Sequence, residues 1–341
     1  MTLTVDFGPN DIVKQIDKTG IKGQHLIFID DYSSTELENI FKTAEMLEPF
    51  WRNRIPLLEG KILCTQFFQP STRTRFSHET AMFRLGGNVI TESNPLVSSA
   101  AAKGESLYDS LRVTSQYADV IVLRHPDEGV IDTIEQLGSD ASPIISGGYG
   151  NVTHPTQGLL DMYTAYRALG GDFKEMTVMI ATPDLSRARS GQSFGLGLAR
   201  MGSKLIYSGT TGLGVPPVIR AKLKAMNANF TEVNDLTIGQ HEEMLADEGV
   251  DLLYLPGCSV KKGDPGRDDF LKKMAEFYFT LEGLQKIKQK SGKTVGLMHS
   301  LPRNEGEFDF AIDASEHELY FKQIGFSVPL RMSLLANICG V

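Results

Sequence analysis

The sequence predicts an α/β protein with two three-layer domains, each built on a mainly parallel sheet. Its 341 residues exceed the size of one typical hydrophobic core. Short apolar runs such as Lys61–Phe68, Ala118–Leu123 and Thr177–Ala181 are typical of buried strands. Helical patterns separate these runs, and strands that alternate with helices usually form parallel sheets. The Gly170–Gly171 pair marks the boundary that we expect between the domains.

Composition and charge argue against several classes of function. The net charge of −8 disfavours nucleic acid or an anionic membrane surface as a partner, so any bound anion requires a local positive pocket. Cys64, Cys258 and Cys339 are too few and too widely spaced for a disulfide framework or a metal cluster, and Cys64 reads as a core residue. Because we find neither a leader pattern nor an apolar run long enough to span a bilayer, we expect a cytoplasmic protein.

Three segments are expected ahead of the central strand of the first domain. Residues 1–22 are polar and interrupted by glycine, and we expect an extended arm there. The apolar run His25–Ile29 predicts a short strand. Ser33–Glu38 combines hydroxyl caps with acidic residues, which is typical of a helix start. The amphipathic helix that follows should end near Pro49.

The stretch Phe67–Glu79 is the one around which the chain is organised. A buried strand precedes it, Pro70 marks a turn, and a helical pattern runs from Phe76 to Leu85. Unpaired backbone N–H groups and the positive end of the dipole make a helix start an anion site, best suited to phosphate. The alternative is a capping hydroxyl with two solvated arginines. The hydroxyls and guanidiniums of this turn come from Ser71, Thr72, Arg73, Thr74 and Arg75.

Three other positions combine polar side chains with a strand end or a loop. Arg124 follows the strand Ala118–Leu123, at the carboxyl end where parallel sheets place their ligands. His154 lies between a strand, a loop and a helix, and it is a candidate oxyanion donor, although a lone histidine is more often structural. The loop Ser93–Gly104 contains Lys103 among small residues. It is either a solvated linker or a flexible loop that carries a cation to a site.

The second domain begins with a β-α-β pattern. A strand at Thr177–Ala181, a helix over Gln192–Met201 and a strand at Lys204–Tyr207 follow one another. No G-x-G-x-x-G motif follows the first strand, and the nearby glycines fall inside the helical pattern. Dinucleotide binding is therefore disfavoured.

Several motifs in this chain resemble those of the aspartate and ornithine carbamoyltransferase family. Ser71–Arg75 is similar to the family's Ser-Thr-Arg-Thr signature for carbamoyl phosphate. The resemblance extends from about residue 25 to the C-terminus. The other motifs, in the family's order and approximate spacing, are His25-Leu26-Ile27, Arg124-His125-Pro126, His154-Pro155-Thr156-Gln157 with Leu159-Leu160-Asp161, and His299-Ser300-Leu301-Pro302-Arg303.

The resemblance implies a division of labour between the domains. Residues 1–168 would bind carbamoyl phosphate, and residues 169–324 would bind the acceptor amino acid. A C-terminal helix at about 325–341 would return to the first domain. Ser71, Thr72, Arg73 and Thr74 would hold the phosphate, while Thr74, Arg124 and His154 would donate to the carbonyl oxygen.

Further roles implied by the resemblance concern the carbamoyl amide and the acceptor. Gln157 would orient the amide, and the backbone carbonyl of Pro302 or Leu301 would accept from it. Leu301–Pro302 would then be a candidate cis peptide bond. Arg189 would hold the acceptor's carboxylate, with Arg187 as a rival for that role.

The resemblance also implies an assembly. Ser99 and Lys103 would reach into the active site of a neighbouring subunit, which means a homotrimer with shared sites. A regulatory chain is left open. The resemblance implies no metal and no organic cofactor.

The acceptor loop departs from the family pattern. Aspartate carbamoyltransferases carry an Arg-x-Gln that binds the side-chain carboxylate of aspartate, and the residues here are Gly257 and Ser259. Lys261, Lys262 or Arg267 could supply the lost charge, although Lys and Arg are not interchangeable at a bidentate site. The Ser-Met-Gly loop and the Cys of the ornithine enzymes are absent as well.

Three hypotheses follow from this departure. The protein is an aspartate carbamoyltransferase of pyrimidine biosynthesis, a carbamoyltransferase with another amine acceptor, or a low-activity scaffold paralogue.

Overall fold

The strands of the described residues form two parallel sheets. A computed structural model describes residues 8–98, 103–257, 267–304 and 306–341. The sheet orders are β2-β1-β3-β4 and β7-β6-β5-β8-β9, which confirms the predicted α/β class. The strands are β1 (Ile62–Phe67), β2 (Asn88–Glu92), β3 (Val120–His125), β4 (Ile144–Tyr149), β5 (Thr177–Ala181), β6 (Lys204–Gly209), β7 (Phe230–Asn234), β8 (Leu252–Leu255) and β9 (Gly296–His299).

Helices connect the strands. They are α1 (Pro9–Thr19), α2 (Ser34–Leu47), α3 (Thr72–Arg84), α4 (Pro95–Ser98), α5 (Leu107–Thr114), α6 (Val130–Leu137), α7 (Pro155–Leu169), α8 (Arg189–Met201), α9 (Pro217–Ala225), α10 (Ile238–Asp247), α11 (Arg267–Met274), α12 (Leu281–Ser291), α13 (Tyr320–Gly325) and α14 (Ser327–Cys339). Short 3-10 turns lie at Ile29–Asp31, Glu48–Phe50, Gly138–Asp140, Phe173–Glu175, Leu185–Arg187, Ala275–Phe277 and Phe310–Ala314. In the part of the chain that is described, none of the helices has the length and apolar character needed to traverse a bilayer.

The chain divides into two compact units. The first unit comprises the residues up to Thr156 together with Gly325–Val341, and the second comprises Gln157–Ile324. The C-terminal helix α14 therefore belongs to the first unit. The functional boundary at residue 168 stays a prediction, because the division by contacts falls inside α7.

In the first unit, three strands end at one edge of the sheet. Phe67 of β1 pairs with Arg124 of β3, and His125 pairs with Tyr149 of β4. The residues that follow β1, β3 and β4 therefore lie along the same carboxyl edge, where parallel sheets bind ligands. Behind this edge, Cys64 packs in a buried apolar cluster. Burial raises the pKa of its thiol to about 12, so the prediction of a core cysteine is confirmed.

Helix α14 completes the core of the first unit. Its side chains are almost entirely buried, including Leu330, Leu334 and Ile338. The Ser333 hydroxyl donates to the carbonyl oxygen of Ile40 in α2 across 2.7 Å. An apolar helix without a polar face needs neighbours all round, which α2 and α3 supply.

The second unit is built around β5. Val178 pairs with Leu205 on one side and with Leu252 on the other, and all three side chains are fully buried. The β5–α8–β6 segment confirms the predicted β-α-β pattern. Helix α8 begins at Arg189, three residues earlier than the sequence indicated.

The expectation of an extended N-terminal arm is wrong. Helix α1 occupies much of this region, with Ile12 and Ile16 buried on one face. Its start is marked by Pro9 at the first helical position and by Asp11, whose carboxylate accepts from the Gly8 N–H at 3.0 Å. These are ordinary helix-start signals. Two glycines and a short apolar face obscured them in the sequence.

The predicted strand at His25–Ile29 is reduced to one bridge. Leu26 pairs with Ile145, and the chain turns into a 3-10 helix at Ile29. His25 is structural, because its Nδ1 accepts from the Ile144 N–H at 2.9 Å. Burial lowers the pKa of this histidine, which suits a neutral ring that accepts at Nδ1.

Candidate active site

The start of α3 has exposed donors and lacks a side-chain cap. Ser71 is the N-cap residue in an extended conformation, and its hydroxyl accepts no hydrogen bond from the helix. The backbone N–H groups of the first helical turn therefore remain for an anion. Other helices of this chain differ, because the hydroxyl of their N-cap residue accepts from the backbone N–H three residues later. These are Ser33, Ser106, Thr237 and Thr280.

The two arginines of the turn have different surroundings. Arg75 forms an ion pair with Glu79, with 3.6 Å between Nε and Oε1. The same Glu79 oxygen accepts the hydroxyl of Thr65 at 2.9 Å. Arg73 is exposed to solvent at the second helical position. Arg73 is therefore placed to grip a phosphate, while Arg75 is held by its carboxylate partner.

Thr74 is buried and its backbone is held from within the helix. Its carbonyl oxygen accepts from the Ser77 hydroxyl at 3.1 Å and from Nδ1 of His78 at 2.7 Å. His78 is fully buried and lies near the Arg331 charge. Both its burial and this charge lower the pKa of His78, to about 3, so the ring is neutral. The first turn of α3 is thus supported by a neutral histidine.

Arg124 lies near the end of β3, beside the residues that end and follow β1. Its carbonyl oxygen accepts from the Phe68 N–H at 2.9 Å, which ties the end of β3 to the residue after β1. Its guanidinium donates from Nη1 to the carbonyl oxygen of Gly147 at 2.8 Å. This bond orients the half-buried guanidinium at the carboxyl edge of the first sheet.

Gly148 separates Arg124 from His154. Its φ of +111° is one that other residues rarely adopt. A Cβ atom here would lie 3.0 Å from Nη1 of Arg124 and 3.4 Å from Cδ2 of His154. Gly148 lies within β4, which continues to Tyr149. The missing side chain allows Arg124 and His154 to approach the same point.

The His154 ring is buried beside the Thr156 hydroxyl. Nδ1 and Oγ1 are 3.4 Å apart, and the same hydroxyl lies 3.3 Å from the carbonyl oxygen of Ser146. The Thr156 hydroxyl has one proton: if it donates to the Ser146 carbonyl, its oxygen accepts from Nδ1–H, and if it donates to Nδ1, the proton of the neutral ring lies on Nε2. A protonated Nε2 is the tautomer that an oxyanion needs.

In the second unit, Gln157 and Arg189 lie near the starts of helices. The side-chain amide of Gln157 donates to Asp161 one turn later. Arg189 is the first residue of α8 and is partly buried, and this burial lowers the pKa of its guanidinium. Arg187 ends a 3-10 turn and is exposed. Its greater burial makes Arg189 the stronger candidate for a carboxylate ligand.

The segment after β9 carries the last predicted residues. The Leu301–Pro302 peptide bond is cis, as the sequence predicted. Ahead of it, the Ser300 hydroxyl donates to the carbonyl oxygen of Pro256 at 2.5 Å, and the Leu301 N–H donates to Nδ1 of His299 at 2.9 Å. The loop after β9 is thus fixed to the loop after β8.

Gly257 has a φ of +71°, and a Cβ atom there would lie 3.1 Å from Nε2 of His299. Nε2 of the buried His299 lies 3.4 Å from Oε2 of the buried Glu307. Together with Thr182, these residues line a small cavity at the carboxyl edge of the second sheet. A larger residue at position 257 would strain the backbone and displace the His299 ring.

Some predicted residues lie elsewhere or outside the described residues. Ser99 and Ser259 are outside them, as are Lys261 and Lys262. Lys103 is exposed after α4. The Gly257 backbone ends the described part of the acceptor loop.

Sequence reasoning missed Asp161 as a site residue, although it lies four residues after Gln157 in a helix. That spacing was a usable signal.

Comparisons with known proteins agree with this geometry. A family model described as the aspartate/ornithine carbamoyltransferase carbamoyl-P binding domain matches residues 24–167. A ureidoglycine carbamoyltransferase of Rubrobacter xylanophilus is 45% identical over 322 residues, which are 94% of this chain and 93% of that protein. An aspartate carbamoyltransferase catalytic subunit of Methanocaldococcus jannaschii is 39% identical, with 92% of this chain and 97% of that protein covered.

Solved structures give the same result. The catalytic subunit of aspartate transcarbamoylase from M. jannaschii has a TM-score of 0.78 and 36% identity, with 93% of this chain and 99% of that chain covered. Aspartate transcarbamoylase from Trypanosoma cruzi in complex with carbamoyl phosphate has a TM-score of 0.80 and 25% identity, with 95% and 98% covered. The chain belongs to the aspartate/ornithine carbamoyltransferase family.

Proposed function

We propose that this carbamoyltransferase moves the carbamoyl group of carbamoyl phosphate to the amine of a small amino acid whose side chain is neutral, with ureidoglycine as the best candidate. The start of α3 is the observation that supports carbamoyl phosphate as the carbamoyl donor. There Ser71 leaves the first helical turn uncapped, and the Arg124 carbonyl is hydrogen-bonded to Phe68, which precedes this helix. An acyl phosphate needs such a cluster of N–H, hydroxyl and guanidinium donors.

The reaction requires no covalent enzyme intermediate. The acceptor amine attacks the carbonyl carbon, a C–N bond forms, and the carbonyl oxygen becomes an oxyanion. The C=O bond then re-forms, phosphate departs with the electrons of the C–O bond, and the nitrogen loses a proton. Thr74, Arg124 and His154 donate to the oxyanion. Each such donor is worth about 3 kcal/mol of barrier.

The remaining predicted residues position the substrates. Ser71, Thr72 and Arg73 hold the phosphate, and Gln157 orients the carbamoyl amide. The backbone carbonyl of Leu301 or Pro302 accepts from that amide. Arg189 grips the acceptor carboxylate in the second unit.

The acceptor assignment rests on the altered loop. An aspartate site needs a cation for a second carboxylate. At Gly257 a positive φ and the nearby His299 ring disfavour an arginine. Ureidoglycine has one amine, one carboxylate and a neutral ureido group, so it needs no second cation. The 45% identical relative named for that acceptor supports the same conclusion.

Aspartate is the second candidate. Relatives named as aspartate carbamoyltransferase catalytic subunits are 35–39% identical over most of their length. Lys261, Lys262 or Arg267 would then replace the missing arginine. Arg267 begins α11, 4.0 Å from the Asp268 carboxylate. A role in pyrimidine biosynthesis follows only for this acceptor. A scaffold without activity is disfavoured because the motif residues of the donor site are all retained.

We also propose a homotrimer, with Ser99 and Lys103 serving a neighbouring subunit. Large apolar side chains on the surface of the first unit support an interface there. Such a surface needs a cover, and a second copy of the chain is the cover that the family resemblance implies. These side chains are Phe76, Phe83, Ile90, Leu96 and Val97.

The acceptor is tested in the reverse direction. Ureidoglycine has an amine and a ureido nitrogen on one carbon and eliminates ammonia readily, whereas its carbamoylated product, diureidoacetate, lacks the free amine. The protein is incubated with arsenate and either diureidoacetate or N-carbamoyl-aspartate, and loss of each ureide is followed. Arsenate replaces phosphate, and its acyl ester hydrolyses, which drives the reaction. We expect diureidoacetate to be consumed with the higher kcat/KM.

Two results would change the proposal. Preferred consumption of N-carbamoyl-aspartate would assign aspartate as the acceptor. If neither ureide is consumed and labelled carbamoyl phosphate transfers to no amine in a panel, carbamoyl transfer itself is wrong.

A further inference from the structure

We infer that Asp161 is a positioning residue that makes Gln157 select the carbamoyl group by its NH₂. The inference rests on the proposed role of Gln157 in the carbamoyl-transfer site. It adds the reason why the Gln157 side chain presents its oxygen, and it predicts that Asp161 controls the choice between carbamoyl phosphate and acetyl phosphate. Acetyl phosphate has a methyl group of similar size in place of the NH₂.

The contact that carries the inference is an i, i+4 pair in α7. Nε2 of Gln157 donates to Oδ1 of Asp161 at 2.8 Å. A carboxylate accepts hydrogen bonds and donates none, so only the NH₂ end of Gln157 can face it. The oxygen and nitrogen of an amide are ordinarily hard to distinguish, and here the partner decides. Oε1 of Gln157 must therefore point away from Asp161.

Asp161 is itself fixed by two further donors. The Tyr254 hydroxyl of β8 donates to Oδ2 at 2.8 Å, and the side-chain amide of Gln323 in α13 donates to Oδ1. Asp161 is fully buried, and both of its carboxylate oxygens accept hydrogen bonds. Because three elements of the second unit converge on it, the carboxylate cannot rotate without breaking several hydrogen bonds.

As a consequence, the site distinguishes substrates by whether they offer Gln157 a hydrogen-bond donor. Gln157 is half-buried, and its Oε1 accepts an N–H from the carbamoyl group. The methyl group of acetyl phosphate offers no such donor and leaves Oε1 unsatisfied. A site built for a hydrogen bond rejects an analogue that lacks it much more strongly than an apolar site does. Without Asp161, Gln157 can present its NH₂ instead and lose this preference.

The test measures kcat/KM for carbamoyl phosphate and for acetyl phosphate, with the acceptor that supports transfer. The wild type should prefer carbamoyl phosphate. Asp161→Asn should lower the ratio of the two values at least tenfold, because an asparagine accepts either orientation of Gln157. A merely structural effect would lower both values together and leave the ratio within threefold. Tyr254→Phe is the control, since it removes a donor to Asp161 and keeps the Gln157 contact.

A charge exchange makes the test sharper. Gln157→Glu alone places two carboxylates at hydrogen-bond distance and should lose most activity. In the double variant Gln157→Glu/Asp161→Asn, the NH₂ of the introduced asparagine donates to the introduced glutamate, whose other oxygen still accepts from the substrate. The double variant should therefore recover a ratio within about threefold of the wild type. If Asp161→Asn does not fold, this double variant decides.

The outcomes separate the inference from the function. A wild type that transfers no carbamoyl group overturns the proposed function. A wild type that discriminates, with folded Asp161→Asn keeping the full ratio, overturns the positioning role alone. Gln157→Met removes the acceptor oxygen and keeps the bulk, so it should lower the ratio as Asp161→Asn does. An unchanged ratio in Gln157→Met also overturns the inference.

Discussion

The guanidinium of Arg124 donates to the carbonyl oxygen of Gly147 at 2.8 Å, which joins the ends of β3 and β4. This bond fixes a cation at the carboxyl edge of the first sheet before any substrate arrives. Preorganised donors cost no reorganisation when charge develops, and they contribute most of the rate enhancement of many enzymes. The activity should therefore depend on the geometry of the Arg124 side chain as well as on its charge.

Arg124→Lys tests that sensitivity. Lysine keeps the charge but has no planar fork, so it cannot hold the Gly147 carbonyl and a substrate oxygen together. We expect kcat to fall about 10²–10³-fold with the fold retained. The measurement is steady-state kinetics, with circular dichroism for the fold. Arg112→Lys on α5, whose side chain is exposed, is the matched control and should keep full activity. A fully active Arg124→Lys enzyme would show that charge alone suffices.

Gly148→Ala should disturb Arg124 and His154 together. The new Cβ lies 3.0 Å from Nη1 of Arg124, and the φ of +111° strains any alanine. Gly60→Ala is matched for strain, since its φ is +83° and no atom lies within 4 Å of its Cβ position. Both variants should lose about 1–3 kcal/mol of stability. Only Gly148→Ala should lose activity, by about 10²-fold, because small displacements of catalytic groups are costly.

The comparison is made by urea unfolding and by kcat/KM on the same preparations. Equal activity in the two variants would mean that the close approach of Gly148 to Arg124 and His154 does not affect catalysis.

His78 gives the first unit a pH dependence. Burial and the Arg331 charge lower its folded pKa to about 3, whereas an unfolded histidine titrates near 6.5. As pH falls below 6.5, His78 therefore binds a proton in the unfolded chain but stays unprotonated in the folded chain. Stability is complete above that pH and is lost progressively toward pH 3, by up to about 1.4 kcal/mol for each pH unit.

His78→Gln isolates this contribution. Glutamine can still donate to the Thr74 carbonyl but has no titrating ring. The free energy of unfolding, measured between pH 7 and pH 4.5, should fall less steeply in the variant by up to one proton equivalent. Identical slopes would contradict the assignment of a neutral buried ring.

Steady-state kinetics should distinguish the roles of Arg189 and Arg187. Arg189→Lys should raise the KM for the acceptor at least tenfold and leave the KM for carbamoyl phosphate nearly unchanged, because lysine cannot grip a carboxylate with two parallel bonds. Arg187 is exposed, so Arg187→Lys should change neither KM value appreciably. The reverse pattern would assign the carboxylate to Arg187.

The sequence could predict those parts of the site that depend on local order. The turn after β1 follows from a few adjacent residues. The cis bond at Leu301–Pro302 was implied by the family resemblance, and α3 begins at Thr72, four residues ahead of the predicted helical pattern. The Asp161 cluster could not be foreseen in full, because Gln323 reaches it from 162 residues away. Helix α1 was missed because two buried isoleucines make a weak period, and its stability comes from packing against α2 and α14.

The exposed apolar surface of the first unit leads to a prediction about assembly. Phe83 lies on α3 and is 57% exposed, and burial of such side chains between copies would stabilise an oligomer. Phe83→Glu should therefore shift sedimentation at micromolar concentration toward the monomer, because an interface would have to desolvate a charge. Val218→Glu, on α9 of the second unit and 56% exposed, is the control and should leave the sedimentation coefficient unchanged. If Lys103 serves a neighbouring subunit, Phe83→Glu should also lose activity on dilution, and that activity should return as the protein concentration rises. A variant that sediments like the wild type, or a monomer with full activity, would show that each chain works alone.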